Sequence, residues 1–88
     1  MKQPIVNLSN EDALVLQQIS ETGEEDVISL AENLGMRRKR VIASLERLRQ
    51  KGLVKIQRQA DYLWVYMSAK GKDLTRHIWS ENYTPAPA

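Results

Sequence analysis

Apolar positions recur every three or four residues through the first half of the chain and alternate with other residues in the stretch beyond Gly52. That change of period divides the sequence into helices followed by a hairpin. Ser9, with Asp12 three positions later, reads as a capping box using a carboxylate in place of the usual Glu. The apolar set Ala13, Leu14, Leu16 and Ile19 then predicts a first helix over about residues 10–21. Gly23 suits its C-terminus. Glu24, Glu25 and Asp26 are expected in a turn, with Asp26 as N-cap of a short second helix. Val27, Leu30, Ala31 and Leu34 face inward there and Gly35 ends it. The third helix is expected from near Arg37 to about Lys51, with Val41, Ile42, Leu45 and Leu48 as its buried stripe.

After Gly52, "LVKIQRQ" and "YLWVYMS" are rich in β-branched and aromatic residues and predict two strands, joined by a short turn of Gln59, Ala60 and Asp61. Alternation puts Tyr62, Trp64 and Tyr66 on one face and Leu63, Val65 and Met67 on the other. Ser68 is placed to cap a fourth helix, "AKGKDLTRHIWSEN", with Leu74 and Ile78 on one side. "YTPAPA" cannot continue a helix, so residues 83–88 are expected as a flexible tail to one domain spanning residues 1–82. The predicted class is α+β: a three-helix core, a two-stranded hairpin and a C-terminal helix.

Composition narrows the function. With 42% hydrophobic and 27% charged residues in 88, the chain suits one small globular core. It has no cysteine, which excludes disulfides and thiolate metal sites. His77 is the sole histidine and lacks partners for a zinc site. No phosphate-cradling glycine loop or paired carboxylates stand out, so an enzyme is not expected and no cofactor is implied. No apolar run reaches the roughly 18 residues needed to span a bilayer. A cytoplasmic protein without membrane contact is the expectation.

Charge changes the picture more. Residues 1–36 carry one cation against seven acids, residues 37–58 carry nine cations against Glu46 alone, and residues 59–88 balance. One end of the molecule should therefore project a positive field. Its densest part is Arg37, Arg38, Lys39 and Arg40, at the start of the third helix, where the macrodipole is already positive and cations are unfavourable.

"LAENLGMRRKRVIASLERLRQKGLV" resembles the helix-turn-helix of MarR-type and related bacterial and archaeal winged-helix regulators. Ala31, Gly35 and Val41 match its Ala-x3-Gly-x5-Val/Ile signature: a small residue where two helices cross, a glycine in the turn, and a branched residue locking the second helix. "LRQKGLV" is similar to that family's link into the wing, and "MSAKGKDL" to its Leu-Thr-x-x-Gly-x-x-Leu segment after it.

The resemblance implies a double-stranded DNA-binding transcriptional regulator, with the helix over 37–51 in the major groove and the hairpin near 58–61 as wing. On a helical wheel Lys39, Arg40, Ala43 and Arg47 point away from the expected stripe, and Arg37 and Arg38 stand at the helix start. These six, with Arg58, Gln59 and Lys55 on the wing, are the candidate DNA contacts. Family members usually offer Ser, Thr or Asn beside one Arg at the helix start. Four cations imply a large phosphate share and salt-sensitive binding.

The competing reading is a winged helix used as a protein–protein module of a transcription-related complex, for which a basic third helix is out of character. The aromatic residues leave a second choice open. Ile78 and Trp79, with one face of the hairpin, either form a homodimer contact, or Trp79 completes the core against the sheet.

Overall fold

A computed structural model describes residues 8–76. The elements run α1 (Asn10–Thr22), β1 (Glu24–Asp26), α2 (Val27–Leu34), α3 (Arg38–Gln50), β2 (Val54–Gln59), β3 (Tyr62–Met67) and α4 (Ala69–Thr75). This is the winged helix-turn-helix, with a strand more than the hairpin predicted. The fourth helix beyond Arg76, His77, the Ile78 and Trp79 contact, Tyr83 and the 83–88 tail lie outside the described residues.

Each helix start is set by a short polar side chain or the lack of one. Ser9 Oγ accepts from the Asp12 amide at 3.1 Å, Asp26 Oδ2 from the Ser29 amide at 3.3 Å, and Ser68 Oγ from the Gly71 amide at 2.9 Å. The first cap is only half of a capping box, because the Asp12 carboxylate bonds across to α3, where Ser44 and Arg47 offer it donors. Gly35 takes the left-handed backbone (φ 66°) that closes α2, and the Met36 amide returns to the Ala31 carbonyl at 3.0 Å. That tight turn sets α3 across α2.

The buried faces correct one expected position, that of Ile42. Helix α1 buries Asp12, Val15, Leu16 and Ile19, while Leu14 is 53% exposed. At about 100° per residue Leu14 falls opposite that stripe. Helix α3 buries Val41, Ser44, Leu45 and Leu48. Ile42, expected in the stripe, is 44% exposed, because the set at i, i+3, i+4 and i+7 passes it by about a quarter turn. These faces enclose one core with Leu30, Leu53, Val54, Val65 and Leu74.

Glu24, Glu25 and Asp26 form a strand, not the expected turn. The sheet order is β1–β3–β2, antiparallel throughout. Glu25 opposite Val65 faces inward and is buried, yet satisfied: its carboxylate accepts from Thr22 Oγ1 and Asn33 Nδ2. Val54 opposite Met67 and Ile56 opposite Val65 share that inner side. The Leu63, Val65, Met67 set is thus the inward one, while Tyr62, Trp64 and Tyr66 line the outer face with Lys55, Gln57 and Gln59. Ala60 (φ 53°) and Asp61 make the wing turn between Gln59 and Tyr62.

One glycine is fixed by contact. A Cβ on Gly71 would stand 2.1 Å from the Leu53 carbonyl oxygen. At the same crossing Ser68 donates its hydroxyl to the Gly52 carbonyl at 2.6 Å, and its amide to the Leu53 carbonyl at 3.1 Å. The segment after the wing is thereby docked onto the end of α3. No helix among the described residues is long and apolar enough to cross a membrane.

Candidate nucleic-acid interface

Helix α3 begins without the device that starts the other three. Its N-cap is Arg37, in extended backbone (φ −71°, ψ 144°), whose side chain makes no capping bond, and its first turn contains no acid. The amides there lack a side-chain acceptor while Arg37, Arg38, Lys39 and Arg40 all stand exposed.

The four cations do not share one environment. Arg40 Nη2 lies 2.6 Å from Glu11 Oε2, at the start of α1. Arg37, Arg38 and Lys39 have no carboxylate partner among the described residues. Within this cluster of four, the charge unpaired among the described residues thus falls on the three at the tip of the helix.

Further along, Arg47 is committed to α1. Its Nε and Nη2 meet the two oxygens of Asp12 at 2.9 and 2.8 Å, and Glu11 lies 3.7 Å away. Ser44 adds a bond of 2.6 Å to Asp12 Oδ1. Burial works to raise the Asp12 carboxyl. Hydrogen bonds from Arg47 and Ser44, with the charges of Arg47 and Lys51, outweigh it and hold the group below its ordinary value. Arg47, grouped on the sequence with the outward face, is therefore first a strut between helices, although its side chain keeps 44% of its surface exposed.

The outward side of α3 carries Lys39 and Ala43 one turn apart, then Glu46, which pairs with Arg49 and is held below the ordinary carboxylate range by that contact. Ile42 stands beside Ala43 on the flank nearer the wing. On the wing itself the candidates separate. Arg58 pairs with Leu63 and shares the side of the sheet on which the helices pack. Lys55, opposite Tyr66, and Gln59, opposite Tyr62, lie on the other face.

A cleft of about 150 Å³ runs between α3, the start of α2 and the wing. Arg38 and Ile42 form one wall, with Ile28, Asp26, Tyr62 and Leu63 facing them. No group of three His, Asp or Glu side chains among the described residues is placed to hold a metal ion. The pattern of positions did not show that Glu11 and Asp12 pair with Arg40 and Arg47, or that Ile42 stands exposed beside them. The first two bind partners more than 28 positions away in sequence, which no local period records.

Residues 3–70 match the family model described as "Sugar-specific transcriptional regulator TrmB". No curated protein sequence matches the chain. Among solved structures, AbfR of Staphylococcus epidermidis is similar with a TM-score of 0.80 at 18% identity, over 92% of this chain and 62% of that one. A structure of reduced AbfR bound to DNA gives 0.78 at 21% identity, over 92% and 60%. A MarR family regulator from Neisseria meningitidis gives 0.75 at 15% identity, over 86% and 56%. The chain spans about three fifths of the length of these proteins.

Proposed function

The chain belongs to the TrmB family of transcriptional regulators, and on that premise we propose that it binds double-stranded DNA, with α3 in the major groove and the wing on the neighbouring backbone. The observation that carries this reading is the tip of α3. Three cations without carboxylate partners among the described residues surround a helix N-terminus that lacks a side-chain cap. Both features disfavour the free protein slightly, and a phosphate compensates both. Arg37, Arg38 and Lys39 supply most of the electrostatic contact. Arg58 approaches from the wing, and Arg40 is held by an exposed ion pair that a phosphate can replace. Arg47 orients α3 and reaches DNA only with its free edge. A cytoplasmic location goes with this reading, as does a homodimer formed through the C-terminal helix and the aromatic residues.

The test is fluorescence anisotropy of a labelled random duplex across roughly 50–300 mM salt. Binding through phosphates loses affinity linearly on a log–log plot, by about 0.9 per contact. Absence of binding at the lowest salt, or binding indifferent to salt, would sink the reading in favour of a protein partner.

A further inference from the structure

Ile42 was expected in the core and stands instead at the surface of the basic helix. It is 44% exposed and sits one turn beyond Arg38 and Lys39, beside the equally outward Ala43. A β-branched apolar side chain is a poor choice for a merely solvated helix position, since it offers water nothing and lowers helix propensity. The fold does not need it there, because Val41, Ser44, Leu45 and Leu48 complete the buried face without it.

The surroundings restrict what Ile42 can meet. Arg38 is its neighbour on the same flank, whereas the rest of the cleft presents the acids Asp26 and Asp61 with Tyr62 and the apolar Ile28 and Leu63. A phosphate is repelled by those two acids, so the backbone is held at the cationic tip. What reaches the Ile42–Ala43 step is a neutral, apolar part of the ligand. In the major groove one group fits that description: the 5-methyl of thymine, which protrudes from the base edge and is read by apolar contact.

We propose that Ile42, supported by Ala43, is a specificity-determining residue that reads a thymine methyl in the major groove, while the cations before it hold the phosphates. The inference rests on the DNA-binding reading and adds a sequence preference to it. A buried methyl is worth about fourfold in affinity. Replacing Ile42 removes that preference and leaves the electrostatic contact intact.

The experiment measures binding of the full chain to two random duplexes, one synthesised with thymine and one with deoxyuridine, which lacks only the methyl. The wild type is expected to bind the thymine duplex about fourfold more tightly. An Ile42→Ala variant, checked for unchanged helical signal, is expected to bind both equally and with the wild-type salt slope. Equal wild-type affinity for the two duplexes, with salt dependence intact, would overturn this inference and leave the DNA reading standing. A thymine preference that survives in Ile42→Ala would overturn it as well, assigning the methyl to another residue. If neither duplex binds at low salt, the DNA reading itself fails and this inference goes with it.

Discussion

Asp12 and Arg47, 35 positions apart, form a two-pronged contact in which both carboxylate oxygens are engaged, with Ser44 completing the set. Asp12 is 2% exposed, so the carboxylate has traded water for these three donors. The contact joins the first turn of α1 to the last turn of α3 and so fixes the direction in which the basic helix points.

Asp12→Ala should lower stability by about 2–3 kcal/mol, since it strands the Ser44 hydroxyl and removes a charged, buried hydrogen-bond acceptor. Arg47→Ala should destabilise at least as much, because it leaves the buried Asp12 carboxylate with the Ser44 hydroxyl as its remaining donor. Urea denaturation of the two variants checks the order.

The same contact carries a pH signature. The folded-state pKa of Asp12 is lowered relative to the unfolded chain, so its stabilisation is fully present above the ordinary carboxylate value and is lost as pH falls through the lower, folded one. The stability gap between wild type and Asp12→Asn should hold steady from about pH 7 to 5 and narrow below about pH 4. A gap that widens in acid would contradict this assignment.

Gly71→Ala should be severe for a one-carbon change. The added Cβ meets backbone, the Leu53 carbonyl, so no side chain can swing aside. A loss of about 2–3 kcal/mol is expected, read as a fall in Tm of roughly 10–20 °C.

Changing Arg37, Arg38 and Lys39 together to Gln should separate binding from folding. The salt slope on duplex DNA should become shallower by up to about 2.7, at 0.9 for each lost phosphate contact. Thermal stability should hold or rise, because cations at a helix N-terminus are unfavourable. Weakened binding with a falling Tm would instead mean that these residues support the fold.

Glu11→Gln should strengthen DNA binding. It releases Arg40 and removes a negative charge beside the basic helix. A gain of about two- to fivefold at low salt is expected, in keeping with an exposed ion pair, and it should vanish as salt screens the contact.

Helix positions, their glycine stops and the alternation along the hairpin were legible because each is written locally, in a period or a cap; which face of the hairpin turns inward is set only by the packing of the helices. Ile42 reads as buried for one reason: an apolar residue beside a stripe looks like part of it until the exact phase of the helix is known. Strand β1 was invisible because Glu24, Glu25 and Asp26 have no apolar alternation, and its pairing is supplied by β3 from forty positions away. The basic tip of α3 was legible as a charge run. Its division into free and paired cations was not, since Glu11 and Asp12 are brought to Arg40 and Arg47 only by the crossing of α1 and α3.

Strand β1 has a mechanical meaning as well. Its last residue, Asp26, is both hydrogen-bonded into the sheet opposite Trp64 and the cap of α2, and α2 turns through Gly35 directly into α3. The wing and the basic helix are therefore two jaws mounted on one short strut, and the gap between them is preset. On the proposed reading such a molecule behaves as a gauge: a duplex whose groove spacing departs from that gap must bend to be held, and the protein discriminates among sequences by the stiffness of base steps it never touches.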